Sequence, residues 1–138
     1  MRTLVVGIGN PILRDDAVGW RVVERVQTLW DQPDGEVDFE YCSLGGLSLM
    51  EMLIDYDRAI LVDAIVTRDG KQGSIYRLTP DDLPTFNADG IHDASLRQAL
   101  DLGQRLGAPL PGEIVIMAIE VSDLWDFGEF LSPAAAAA

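Results

Sequence analysis

The sequence predicts a three-layer α/β/α domain built on a mainly parallel, twisted sheet of about five strands. Three observations predict it. Residues 3–8, 59–62 and 113–119 are short runs of apolar, largely β-branched residues bounded by glycine, proline or acid. Such runs suit strands buried on both faces, as parallel strands are. Segments with apolar residues at helical spacing lie between them, and strand-then-helix alternation is the signature of a parallel sheet covered on both sides.

The elements follow in order. Thr3 to Ile8 is the first strand, broken by Gly7, Gly9, Asn10 and Pro11. Val18, Val22, Val23 and Val26 then form a helical stripe reaching to about residue 30, with Asp15 and Asp16 at its start. Acids there cap a helix or favour its dipole, and Asp15, just outside the helix, is the expected cap. After a turn at Gln32 to Gly35, Val37 to Cys42 alternates apolar and polar residues, as a strand with one wet face does. Gly45 and Gly46 open a short helix near 47–54, and Ala59 to Val62 is a buried strand ending at Asp63.

Asp69 and Gly70 mark a turn before an edge strand, Ser74 to Leu78. Residues 79–91, with two prolines and an Asn-Ala-Asp-Gly stretch, are expected to be loop, with His92 just beyond. A helix at about 94–106 turns Leu96, Leu100 and Leu102 or Leu106 inward and stops at Gly107 and Pro109. Glu113 to Ile119 is the last buried strand, and Glu120 to Leu131 an irregular loop. Ser132 and Pro133 begin a final helix that runs into five alanines, which carry no functional weight. One domain is expected over residues 1–138, since no linker or repeat interrupts the pattern.

The composition excludes several function classes. Net charge is −13, from 23 acids against 10 bases, so a phosphate backbone repels the chain and nucleic acid is not an expected partner. No apolar run approaches spanning length, so no membrane is expected either. The one cysteine, Cys42, cannot make an internal disulfide, and the protein reads as cytoplasmic. Cys42 is expected to be a buried strand residue rather than a nucleophile.

Ligands of open α/β sheets sit beyond the carboxyl ends of the strands. Asp16, Asp63 and His92 are the polar residues expected there. Two carboxylates and an imidazole suit a divalent transition metal and leave coordination positions open for a substrate group. Each has a plainer reading: Asp16 as a helix-start acid, Asp63 as a turn residue, His92 as a structural or surface histidine. Gly7 and Gly9 lack the third glycine of a dinucleotide fingerprint.

Three blocks carry a resemblance. Gly7-Ile8-Gly9-Asn10 followed by Leu13-x-Asp15-Asp16-Ala17-Val18-Gly19, then Ile60-Leu61-Val62-Asp63-Ala64, then Ile91-His92-Asp93, occur in the order and at the spacing of the hydrogenase maturation endopeptidases. The chain resembles that family from residue 1 to about 133. The resemblance implies a phosphorylase/hydrolase-like sheet fold and an endopeptidase that removes the C-terminal extension of a nickel-loaded hydrogenase large-subunit precursor. It implies Asp16, Asp63 and His92 as nickel ligands, the nickel arriving with the substrate rather than residing in the enzyme. Asp16 or Asp63 is the candidate general base, in the manner of an aspartyl protease. Loops around Gly45, Gly46 and Ser48, and around Glu120 to Phe130, are candidate grips on the substrate's tail, with ordinary packing the plainer and favoured reading of Trp125, Phe127 and Phe130. Two departures stand out: Ala17 where many relatives have glycine, and a terminal helix that stops short of the family's.

Two other readings compete. A non-cleaving metal-binding or chaperone module for hydrogenase assembly would use the same three residues. Val5-Val6-Gly7-Ile8-Gly9-Asn10-Pro11 also resembles the start of bacterial peptidyl-tRNA hydrolases, but Asp15-Asp16-Ala17-Val18 stands where those enzymes carry a catalytic histidine.

Overall fold

The computed structural model describes residues 1–10, 12, 14–30, 35–43, 47–67, 69–82, 88–89, 91–121 and 131–138. Its sheet has the strand order β2-β1-β3-β6-β4. The strands are β1 (Thr3–Ile8), β2 (Val37–Cys42), β3 (Arg58–Thr67), β4 (Ile75–Leu78) and β6 (Glu113–Glu120); a two-residue strand, β5 (Ala88–Asp89), pairs with the end of β3. The first three and β6 run parallel, and β4 runs antiparallel to β6 along the edge. β1 is buried along its whole length, as its unbroken apolar run requires between two parallel partners. β2, at the other edge, is only half-buried, which matches its alternating sequence.

The period of two sorts the core into two layers. Leu4, Val6, Ile8, Leu61 and Ile65 face one side, where Leu49 and Leu53 of α2 (Leu47–Leu53) and Leu96 and Ala99 of α3 (Ile91–Arg105) pack on them. Val5, Val62, Ala64 and Ile119 face the other, under Val18 and Val23 of α1 (Val18–Leu29) and Ala135 of α4 (Pro133–Ala137). Each fully buried leucine of the first layer contributes about 2 kcal/mol. On the α1 side an apolar trough of about 360 Å³ stays open between Val22, Val26 and Trp30 and the strands beneath. Among the described residues its lining is almost wholly apolar.

Four expectations are corrected. β3 does not end at Asp63, which is the sixth of its ten residues; Ala64-Ile65-Val66-Thr67 continues the β-branched pattern and keeps pairing with β6 as far as Ile65. His92 is not in a loop before a helix but in the first turn of α3. The segment 79–91 is not all loop: it holds a 3-10 turn at Pro80–Asp82 and strand β5. Asp15 does not cap α1. The cap position is Ala17, which makes no side-chain bond, and Asp15 and Asp16 sit in a 3-10 turn, Arg14–Ala17, ahead of the helix.

Candidate active site

The strand order creates a crevice. From β1 the chain crosses through α1 to β2 on one side; from β2 it crosses through α2 to β3 on the other side of β1. Connections that depart in opposite directions leave a gap above the carboxyl ends of the two central strands, here β1 and β3. The 3-10 turn that carries Asp16 follows β1 directly and packs against β3, the strand that carries Asp63.

Two glycines make this approach possible. A Cβ on Gly19 would stand 2.2 Å from the Val62 carbonyl oxygen and 2.7 Å from that of Ile8. A Cβ on Gly7 would stand 2.8 Å from the Gly19 oxygen. The first turn of α1 therefore lies backbone to backbone on β1 and β3, which no side chain at either position would permit. The residue it rests on, Val62, immediately precedes Asp63.

Asp63 is 9% exposed and shares a strand face with Leu61 and Ile65, the face covered by α2 and α3. Its Oδ1 accepts a 2.8 Å hydrogen bond from the Ala64 N–H. A carboxylate set this deep in a central strand is costly unless hydrogen bonds or a cation offset its desolvation.

His92 reaches the same end of the sheet by another route. Ala88 and Asp89 pair antiparallel with Thr67 and Val66, so β5 returns the chain to the carboxyl end of β3 just before α3 begins. Leu96, one turn beyond His92, is buried in the layer that Asp63 faces. β5 thus brings the start of α3, with the His92 position, to the carboxyl end of β3, beyond Asp63 at that strand's sixth residue, and the turn carrying Asp16 packs on the same strand. The side chains of Asp16 and His92 lie outside the described residues, as do Gly45, Gly46, Trp125, Phe127 and Phe130. Ser48 is exposed on α2.

Two buried acids here were not anticipated in these roles. Asp15 is 5% exposed; its Oδ1 accepts the Ser132 N–H at 2.8 Å and its Oδ2 the Ser132 hydroxyl at 2.6 Å. Glu120 is 2% exposed at the carboxyl end of β6 and accepts from the Thr67 N–H at 2.8 Å, the Thr67 hydroxyl and the Tyr76 hydroxyl at 3.2 Å. The signal for Glu120 was legible: with the period of two it follows Ile116 and Ala118 on the inward face. No local signal points from Asp15 to a partner 117 residues away. Cys42, as expected, is buried in β2.

The comparisons with known proteins converge. The family model described as hydrogenase maturation protease matches residues 21–138. The chain is 28% identical over 121 residues to the hydrogenase 2 maturation protease of Escherichia coli, spanning 86% of this chain and 73% of that protein. It is 29% identical over 135 residues to the hydrogenase expression/formation protein HupD of Bradyrhizobium diazoefficiens, spanning 96% and 69%. The solved hydrogenase maturating endopeptidase HybD of E. coli superposes with a TM-score of 0.84 at 26% identity, over 99% of this chain and 84% of that one. With a family model covering most of its length and this fold, the chain belongs to the hydrogenase maturation proteases and is a hydrolase of the endopeptidase class.

Proposed function

We propose that this endopeptidase removes the C-terminal extension of a nickel-loaded hydrogenase large-subunit precursor, and that it reads the precursor's nickel through Asp16, Asp63 and His92. The observation that carries this reading is the packing of the turn bearing Asp16 onto β3, the strand holding the buried carboxylate of Asp63. The first turn of α3, bearing His92, follows β5, which pairs with the end of the same strand. Two carboxylates and one imidazole make an incomplete shell for a borderline cation, and nickel accepts such donors alongside sulfur. The metal belongs to the substrate: a precursor without nickel gives the enzyme nothing to grip. Cleavage is thereby tied to completed metal insertion.

Hydrolysis then needs a base for water. Asp16 or Asp63 supplies it from beside the nickel, whose charge polarises the scissile region. Among the described residues no helix is long and apolar enough to cross a membrane. A cytoplasmic setting, where a precursor would be met before export or assembly, fits the reading.

The test is to incubate the full chain with nickel-loaded and nickel-free precursor and follow the C-terminal mass loss by mass spectrometry. Cleavage is expected only with nickel. His92→Ala is expected to slow it about a hundredfold or more, since a metal contact contributes several kcal/mol. The circular dichroism spectrum should be unchanged. Cleavage indifferent to nickel overturns the metal-reading role. Nickel-dependent binding with no mass loss favours a non-cleaving assembly module. A collapsed spectrum in His92→Ala assigns the histidine to the fold instead.

A further inference from the structure

Resting on the reading of Asp16 as a metal ligand, we propose that Asp15 is a positioning residue: its clasp on Ser132 holds the 3-10 turn so that Asp16 is presented to the metal. Besides its packing on β3, the turn has this one side-chain anchor among the described residues. It is only four residues long, and Ala17 offers no side-chain bond to the start of α1. No acid in the first turn of α1 strengthens that start. A short 3-10 segment has poor internal hydrogen-bond geometry and needs an outside anchor to hold one conformation.

Asp15 provides that anchor. Both of its oxygens are engaged, one by the N–H and one by the hydroxyl of the same serine, so the carboxylate is fixed in direction as well as in place. The serine is itself seated. Its Oγ accepts from the Ala135 N–H at 3.4 Å to cap α4, and Ala135 is buried in the layer that contains Val18 and Val62. The clasp therefore ties the turn after β1 to the far end of the chain, and both to the sheet. Asp15 and Asp16 share a peptide bond. Whatever fixes the first limits the second.

The plainer alternative is that Asp15 serves only to pin α4. Nickel(II) binding to the full chain separates the two, measured by titration calorimetry beside a thermal melt. Residues that orient a ligand typically contribute ten- to a hundredfold in metal affinity. Asp15→Ala and Ser132→Ala are expected to weaken nickel binding about tenfold. Ser132→Ala is the sharper of the two, because it changes no charge and lies far along the chain from the turn. Asp15→Asn is expected to restore binding to within about threefold, since its amide can accept the Ser132 N–H and donate to the hydroxyl. Asp16→Asn should give the largest loss.

Affinities unchanged in Asp15→Ala and Ser132→Ala, with only a lower melting temperature, overturn the positioning role. So does an Asp15→Asn variant as weak as Asp15→Ala, which would make charge rather than geometry the cause. Should the chain alone take up no nickel, the same variants are read by their affinity for nickel-loaded precursor; an Asp16→Asn variant that binds as well as wild type sinks the ligand assignment itself and the clasp's role with it.

Discussion

Gly19→Ala is expected to destabilise the fold by about 3 kcal/mol and to cost most of the cleavage activity. On an exposed helix the same change would stabilise by about 1 kcal/mol, because alanine is the better helix former. Here the added methyl would meet two backbone oxygens, at 2.2 Å on Val62 and 2.7 Å on Ile8. Strands locked in a parallel sheet cannot retreat, so the helix must shift by about 1 Å, and overpacking of this kind costs about 1–3 kcal/mol or more. On the proposed role of Asp16 the activity follows, because α1 continues directly from its turn and a misplacement of about 1 Å at a reacting centre costs about a hundredfold. Urea denaturation and the precursor-cleavage rate on the same preparation check both halves. A variant more stable than wild type would mean that α1 is not seated on β3 at this point.

Glu120→Ala is expected to cost about 3 kcal/mol, through loss of the acceptor that three donors share. Hydrogen bonds to a charged group contribute about 1.5–3 kcal/mol each in favourable cases, and an orphaned buried donor carries its own desolvation penalty. The glutamate takes the Thr67 N–H, the Thr67 hydroxyl and the Tyr76 hydroxyl, and so closes the connection from β3 to β4. Backbone bonds from Glu120 N to Ser74 O and from Gly73 N to Glu120 O, both 2.8 Å, fasten the same connection. Gly70 leaves the carboxylate its room: a Cβ there would lie 1.6 Å from Oε1. Adding Thr67→Val to Glu120→Ala should recover part of the loss, since removing both partners of a buried bond costs less than removing one. The urea midpoints of the two single variants and the double variant decide it. A single-variant loss under about 1 kcal/mol would show that water replaces the carboxylate there. Thr67 also pairs with Ala88 of β5, so the damage would spread toward the start of α3.

Much of the fold was legible because its strands obey simple rules. β1 and the central part of β3 are continuous apolar runs, and a strand buried on both faces has no other way to read. The edge strand Ile75–Leu78 and the half-wet β2 declared themselves by alternation. What failed had physical causes. An acid inside a run looks like its end, so β3 was expected to stop at Asp63; the chain instead accommodates the carboxylate with a bond from its own next amide and carries on. β5 is two residues long, below any periodicity. Asp15 matched the local logic of a helix cap, but a half-buried partner far along the chain outcompeted the helix for its oxygens. The candidate site was reached through the likeness of three blocks, since neither a lone histidine nor two separated acids would single themselves out by pattern.

The ten-residue length of β3 has a consequence for how a metal is met. Leu61 and Val62 lie between bonded neighbours on both sides, so their amides should exchange with deuterium only when the whole molecule opens. Asp89, on a two-residue ladder, should label much sooner. Under the proposed metal-reading role, Asp63 is thus set on an unyielding post, while His92 rides on a helix tip behind that short ladder. An incoming precursor that sits slightly askew would be met by give at that tip, with the strand as the fixed reference.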